Sequence, residues 1–243
     1  MEELFTLAGL SNLLTLSLME IVLGVDNILF ISIITERLPI HQRKKTRTTG
    51  ILLALITRIA LLFSITWLIG LQQTLFQWQT VYFNLHLNIK DLILLFGGFF
   101  LMVQSFREIL KKIKAEPEKQ KKIDKKISAK TIILQIILID LVFSFDSILT
   151  AVGLVRNVWI MIFAVIISMF VMIFAADKIA KLLHQYEELK ILALVFLIGI
   201  GGLLVLEAVD ISVSKGYLYT SIAFASFVEW VHIQIRKQKK NNL

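Results

Sequence analysis

Seven long apolar runs dominate the sequence, and they restrict its fold more than any other feature. They cover residues 8–35, 49–70, 89–106, 131–153, 157–176, 190–209 and 216–235. Each is close to or above the ~20 residues that an α-helix needs to cross the hydrocarbon core of a bilayer, and none has the strict alternation of a barrel strand. Because helices and closed barrels are the structures that satisfy backbone hydrogen bonds in lipid, the sequence predicts an all-α membrane protein with seven transmembrane helices.

Composition supports this prediction and excludes several kinds of chemistry. Apolar residues make up 57% of the chain, above the ~45–50% of soluble domains. Cysteine is absent, which excludes disulfides and thiolate metal ligands. The His-Glu-x-x-His pattern of zinc proteases is absent as well. We therefore predict that the protein is not an enzyme, with no catalytic residue and no resident cofactor.

Lysine and arginine are concentrated in alternate connections between the runs. Five follow span 1, ten lie between spans 3 and 4, three lie between spans 5 and 6, and four lie in the tail, whereas the intervening connections have one each. The positive-inside rule then places the N-terminus outside and the C-terminus in the cytoplasm. The same pattern accounts for the net charge of +8 without a nucleic-acid partner.

An acidic motif occurs twice, inside spans 1 and 4. Its two copies, residues 18–31 and 138–151, are related by a constant offset of 120 residues. The offset aligns three pairs of polar residues: Glu20 with Asp140, Asp26 with Asp146, and Asn27 with Ser147. Spans 1 and 4 cross the membrane in opposite directions, so the two copies are predicted to be antiparallel.

The repeated motif predicts the division of the chain. Repeats of three spans must be inverted across the membrane, an arrangement typical of secondary transporters with a site near the midplane. We predict an inverted repeat of two three-helix units, spans 1–3 and 4–6, plus a seventh helix. The predicted segments are a first repeat, a basic cytoplasmic linker, a second repeat, and a last helix with a basic tail, at residues 1–106, 107–130, 131–209 and 210–243.

The motif carboxylates are the candidate ion ligands. A charged residue near the bilayer centre costs at least ~2.5–3.5 kcal/mol, so it is expected to face the bundle interior and to have a partner. Carboxylate, amide and hydroxyl oxygens favour hard divalent cations, with Na⁺ or H⁺ coupling as an open alternative. An aspartyl protease is disfavoured because the motif supplies four acids rather than two. The predicted metal-binding residues are Glu20, Asp26, Asn27, Asp140, Asp146 and Ser147.

Chain direction and helical phase predict how these acids are arranged. We expect Asp26 on the cytoplasmic side, Glu20 and Asp140 in the centre, and Asp146 on the outer side, as a line of anionic groups. Asp26 follows Glu20, and Asp146 follows Asp140, by six residues. Each aspartate therefore lies about 120° away around the helix from the acid that precedes it. This phase predicts either local unwinding at Gly24 and its counterpart Ser144, or aspartates that each meet a different neighbouring helix.

Further charged residues in the spans have two interpretations each. Arg58, about ten residues into span 2, either neutralises a motif carboxylate when the ion is absent or forms a static ion pair. Glu207 and Glu229, near the ends of spans 6 and 7, either gate the two mouths or lie at the interface without a role. Asp91 and Asp177, at span ends beside lysines, are expected to be solvated.

The motifs resemble a known family. Glu-Ile-Val-Leu-Gly-Val-Asp-Asn at 20–27 and Asp-Leu-Val-Phe-Ser-Phe-Asp-Ser at 140–147 are similar to the paired signatures of the TerC family of integral membrane proteins. Thr-Arg-Ile at 57–59 and Lys-Gly-Tyr at 215–217 are similar too. The resemblance implies a bacterial inner-membrane protein, in a family linked to manganese efflux and tellurium resistance, with its acidic positions on the four motif acids.

Three functions follow as hypotheses. The first is a secondary exporter of a divalent metal, with Mn²⁺ favoured, that works by proton antiport and rocking of the two repeats. The second is a membrane interaction protein that delivers metal to, or helps assemble, membrane or secreted proteins, including under tellurium stress. The third is an exporter of an organic cation or amino acid, which would need an aromatic or apolar pocket beside the acids. The expected partners are the lipid bilayer and the metal ion.

Overall fold

The fold consists of long helices and one short hairpin. The computed structural model describes residues 6–64, 74–80, 83–113, 128–155, 157–211 and 213–241. Its helices are α1 (Leu7–Leu23), α2 (Val25–Thr35), α3 (Ile40–Phe63), α4 (Ile89–Ile113), α5 (Ala129–Leu154), α6 (Val158–Gln185), α7 (Glu187–Glu207) and α8 (Lys215–Asn241). Strands β1 (Thr74–Thr80) and β2 (Phe83–Asn88) form an antiparallel hairpin before α4. The prediction of an all-α membrane protein is confirmed, with this hairpin as an addition.

Six helical segments of the described chain are long and apolar enough to cross a bilayer, with α1 and α2 together forming the first. The others are α3, α4, α5, α6 and α7. Helix α8 is a further helix of 27 residues at the position of the predicted seventh span. It is less apolar than the six because Glu229 and His232 interrupt its apolar stretch. Of the predicted linker 107–130, residues 114–127 lie outside the described residues.

The first span is interrupted at Gly24, which agrees with one half of the first of the two predicted alternatives. The Gly24 N–H donates to the carbonyl groups of Glu20 and Ile21, at 2.9 and 3.2 Å, so the interruption is a single residue. A Cβ atom at Gly24 would lie 2.6 Å from Met172 Sδ of α6, so a larger residue here would require the Met172 side chain to move. The predicted counterpart at Ser144 is wrong, because α5 is a continuous helix through this residue.

The bundle is built from a few extensive helix pairs. Helix α4 packs along α7, α3 packs between α5 and α6, and α1 and α2 both pack on α6, while α8 packs on α7. Where α4 crosses α7, a Cβ at Gly98 would lie 2.6 Å from the Gly201 carbonyl oxygen, and one at Gly201 would lie 2.7 Å from the Gly98 carbonyl oxygen. The two backbones are thus in direct contact at glycines, as in other close helix crossings in membranes.

Side-chain burial is the reverse of that in a soluble protein. Large aromatic side chains such as Phe96, Phe174 and Phe224 are about 70% exposed, whereas Arg58, Glu20 and further polar residues are buried. Apolar surface on the outside and charges inside are the arrangement expected in lipid. The structure therefore agrees with a multi-pass membrane protein.

The expectation that Asp91 is solvated is wrong, because Asp91 is buried. It closes the start of α4 by a reciprocal cap: Asn88 N–H donates to Asp91 Oδ2 at 2.8 Å, and Asp91 N–H donates to Asn88 Oδ1 at 2.9 Å. Such caps satisfy N–H groups that have no partner in the first turn of a helix. Asp177, also expected to be solvated, is paired with Arg47 at 2.6 Å.

Candidate ion site

Arg58 lies at the centre of the bundle and joins the two acidic motifs. Its side chain is 2% exposed. Its guanidinium group donates to Glu20 Oε2 at 2.5 Å, to Asp140 Oδ1 at 3.1 Å and to Ser144 Oγ at 2.8 Å. One arginine therefore faces two carboxylates, which leaves this cluster with a formal charge of −1 when both acids are ionised.

Asp140 is held by two further hydrogen bonds. Asn27 Nδ2 donates to Asp140 Oδ1 at 3.2 Å, and Ser144 Oγ donates to Asp140 Oδ2 at 3.0 Å. Glu20 and Asn27 come from the first motif and Asp140 and Ser144 from the second. The helical phase of each motif places these residues on one stripe, and the two stripes meet at Arg58.

Asp26 and Asp146 form a second part of the site. Both line a cavity of about 430 Å³, together with Ser147, Tyr219 and mainly apolar side chains of α5, α7 and α8. Asp26 is buried and Asp146 is half-buried. The Tyr219 hydroxyl donates to Asp26 Oδ1 at 3.4 Å. The cavity thus brings together two equivalent aspartates, one from each motif.

The expected line of acids from the cytoplasmic to the outer side is wrong. Asp26 and Asp146 face one cavity instead of lying on opposite sides of Glu20 and Asp140. The reason is the register of the motif helices, which places Asn27 beside Asp140 and so brings Asp26 and Asp146 closer along the helix axes than the expected line requires.

Asp26 and Asp146 both lie about 120° away from the central stripe and turn from Arg58 toward α7 and α8. Asp26 accepts a hydrogen bond from Tyr219 of α8 and Asp146 interacts with Glu207 of α7. Each aspartate therefore meets a different neighbouring helix, which was one of the two predicted arrangements.

Glu207 belongs to the surroundings of this cavity. Its Oε1 atom is 2.9 Å from Lys90 Nζ, and its carboxyl group interacts electrostatically with that of Asp146. Glu229, by contrast, lies on α8 with His232 Nδ1 at 3.9 Å from its Oε2 atom, and it does not line the cavity.

Sequence reasoning missed Tyr219 and Lys90 as members of the site. Tyr219 lies in the first turns of α8, far along the chain from both motifs, so no local pattern connects it with Asp26. Lys90 carries a weak signal, since it is the single basic residue of its connection. An isolated charge at a span end is compatible with solvation, and the distant partner Glu207 can be identified only in the fold.

The predicted metal ligands are divided between the two parts of the site. Glu20, Asn27 and Asp140 surround Arg58, whereas Asp26, Asp146 and Ser147 lie at the cavity. In the part of the chain that the structure describes, no three His, Cys, Asp or Glu side chains lie close enough together to hold a metal ion. The metal-binding role of the six residues stays a prediction.

Lipid-facing helices around buried, duplicated carboxylates define the class: a multi-pass membrane protein with an acidic site inside the bundle. The chain belongs to the integral membrane protein TerC family, which it matches over residues 5–242. The family prediction is confirmed.

Curated relatives agree with this membership. A UPF0053 protein of Haemophilus influenzae is 42% identical over 229 residues, which cover 94% of this chain and 95% of that protein. The UPF0053 inner membrane protein YgdQ of Escherichia coli K12 is 42% identical over 230 residues, covering 94% and 93%. The UPF0053 protein YegH of the same strain is 38% identical over 219 residues, 90% of this chain and 41% of YegH. No solved structure is significantly similar to the chain.

Proposed function

We propose that the protein is a secondary transporter that exports a divalent metal cation, with Mn²⁺ favoured, across the bacterial cytoplasmic membrane. The observation that carries the proposal is the cavity between Asp26 and Asp146. Two carboxylates of the repeated motif, one buried and one half-buried in a lipid-facing bundle, form a site that attracts a positive ion. Carboxylate and hydroxyl oxygens are the ligands of hard divalent ions.

Asn27 supports a cation beside the central cluster. Its Nδ2 atom donates to Asp140, while its Oδ1 atom is buried without a hydrogen-bond partner among the described residues. A buried polar atom left unsatisfied costs roughly 1–3 kcal/mol. A cation that arrives at the central cluster would use this oxygen, and the proposal includes Asn27 among the ligands for that reason.

Arg58 acts in this proposal as the counter-charge of the site. Its guanidinium group holds both Glu20 and Asp140 and so compensates one of their two negative charges. A divalent ion that enters the site competes with Arg58 for these carboxylates. This competition connects the central cluster with the cavity and gives Arg58 a role beyond that of a static ion pair.

Proton antiport is supported by the pair of Glu207 and Asp146. These two carboxyl groups interact, and because two ionised carboxylates repel each other, their proximity favours a proton on one of them. A metal ion bound to carboxylates displaces protons. Inward movement of protons would therefore drive outward movement of the metal through the same acids.

The helix pairs support rocking of two repeats at residues 1–106 and 131–209. The symmetry of the repeat is seen when spans 1, 2 and 3 are exchanged with spans 4, 5 and 6. The packing of α1 and α2 (span 1) on α6 (span 5) then becomes the packing of α5 (span 4) on α3 (span 2). The pairs α3 with α6, and α4 with α7, are converted into themselves. Such exchange is the property of an inverted repeat.

A flux assay tests the proposal. The full chain in liposomes, with an internal Mn²⁺-sensitive dye and an imposed pH gradient, is expected to move Mn²⁺, and Asp26→Asn and Asp146→Asn are each expected to reduce the flux at least about 10-fold. The exposed acid Glu187 supplies the matched control, Glu187→Gln, which should transport like the parent. Flux that is equal in all four proteins refutes the site, and no flux in the parent favours the interaction protein.

An organic cation is the second candidate substrate, and one observation favours it. Phe143, Leu204 and Leu218 line the cavity beside the two aspartates, and an apolar lining beside the acids is the feature that an organic cation requires. Phe145, in contrast, is buried in the core and does not line it. Inhibition of Mn²⁺ flux by excess lysine or an alkylamine would identify this class of substrate.

A further inference from the structure

A second cleft lies at the opposite end of the bundle from Lys90 and Glu207. Its volume is about 660 Å³, and it is formed by the corner between α2 and α3 and by the end of α6. Its charged lining includes Arg43, Lys44, Arg47 and Lys181 as basic groups and Glu36 and Asp177 as acids. None of these residues lines the cavity of the candidate ion site.

The charges of the cleft do not balance. The four basic residues exceed the two acids, which gives the lining a formal charge of +2 with its histidine neutral. Both acids already have partners: Asp177 is 2.6 Å from Arg47 and 3.5 Å from Lys44, and Glu36 is bonded to Lys190. Lys181 has no carboxylate partner within the described ranges. The cleft therefore attracts anions.

Arg47 provides a buried donor without a partner. Its side chain is 9% exposed, and its Nη2 atom donates to Asp177. Its Nε atom is buried and has no hydrogen-bond partner in the described part of the protein. A buried donor in this condition is unfavourable. Because Arg47 lines the cleft, a shift of its side chain would bring this hydrogen to an anionic oxygen there.

The first turn of α3 adds further donors. The N-cap residue is Pro39, which makes no side-chain cap hydrogen bond, and Ile40, the first residue of α3, lines the cleft. N–H groups at the start of a helix, together with the helix dipole, favour anions, phosphate above all. The start of α3, the buried Arg47 side chain and the lysines of the cleft all favour a negatively charged ligand.

We infer that this cleft binds a phosphate-bearing anion. Two sources share that chemistry, the headgroup of an anionic phospholipid and a soluble phosphate. The cleft lies at helix ends on the side where basic connections are concentrated, the predicted cytoplasmic side, where anionic headgroups attract lysine and arginine. The bound anion bridges α3 and α6 and is independent of the ion carried by the protein.

Two charge-matched double variants test the inference. Lys44→Gln with Lys181→Gln removes both exposed lysines of the cleft and reduces its formal charge from +2 to 0. Lys45→Gln with Lys178→Gln removes two exposed lysines that lie one and three residues away in the sequence and do not line the cleft. All four side chains are exposed, so neither double variant disturbs the core.

Binding is measured on the detergent-purified full chain. Native mass spectrometry with titrated phosphatidylglycerol is expected to show about 10-fold weaker binding for the cleft double variant than for the control double variant. Phosphatidylethanolamine serves as the zwitterionic reference. Thermal unfolding with inorganic phosphate, against chloride of equal ionic strength, reports the soluble source.

Each outcome has a defined meaning. Loss of phosphatidylglycerol binding alone in the cleft double variant assigns the anion to a lipid headgroup, and loss of stabilisation by phosphate assigns it to a soluble phosphate. A variant with Lys44→Arg and Lys181→Arg should bind like the parent. Equal binding of both probes by the two double variants overturns the inference.

Discussion

Removal of the central arginine is the most informative single perturbation of this protein. Arg58 donates to Glu20 and Asp140 at 2.5 and 3.1 Å. Hydrogen bonds to charged groups contribute about 1.5–3 kcal/mol each, so the two contacts together account for roughly 3–6 kcal/mol. Removal of one partner from a buried ion pair typically costs about 3–5 kcal/mol. We therefore expect Arg58→Met to lower the free energy of unfolding by about 3–5 kcal/mol.

The assay is reversible unfolding of the full chain in mixed detergent micelles, followed by circular dichroism. Arg107→Met is the matched control, because Arg107 is exposed on α4, and its change should stay within about 0.5 kcal/mol. The triple variant Arg58→Met, Glu20→Gln, Asp140→Asn removes all three charges and should regain most of the lost stability. If Arg58→Met unfolds like the parent, or the triple variant is no more stable than Arg58→Met alone, the reasoning about the buried cluster is refuted.

Three further predictions use the same unfolding assay. Gly98→Val should destabilise by about 1–3 kcal/mol, since a Cβ there would lie 2.6 Å from a backbone oxygen of α7, whereas Gly202→Ala, with no atom within 4 Å of its Cβ, should be neutral. Ser144→Ala should cost about 1–3 kcal/mol, because its hydroxyl bonds both to the central arginine and to a motif aspartate, while the exposed control Ser221→Ala should change little. Asp91→Ala should cost about 1 kcal/mol through the lost cap of α4, with faster amide exchange in the first turn of that helix. If a variant's change in stability has the opposite sign, or its control changes as much, the packing or hydrogen bonding behind that prediction is contradicted.

The central cluster could be predicted in part because its signal is local and duplicated. The spacing of Glu20 and Asn27, repeated at Asp140, places each set on one face of a helix. Helical phase also predicts that Asp26 and Asp146 point away from the face that carries Glu20 and Asp140. Which helices they meet depends on how α7 and α8 pack against the motif helices, and no periodicity within spans 1 and 4 contains that information.

Two local features had signals that could have been recognised. Residues 83–88, Phe-Asn-Leu-His-Leu-Asn, alternate between apolar and polar side chains, as a strand does, and they form β2. Asn88 and Asp91 have the spacing of a reciprocal helix cap, which explains a buried acid at a span end. Both were obscured because long apolar runs dominate the interpretation of a membrane sequence.

The glycine crossing of α4 and α7 has a mechanical consequence. At Gly98 and Gly201 the two helices touch through backbone atoms, with the side chains of Met102 and Leu204 beside the crossing, so the glycines themselves place no side chain between the helices. The contact of α3 with α5 is different, because Ile136 is seated over Gly50, where a Cβ would lie 2.6 Å from its Cδ1 atom. The contact of α4 with α7 brings backbone against backbone, whereas a side chain fills the space between α3 and α5. We therefore expect the helices to slide past each other more easily along α4 and α7 than along α3 and α5.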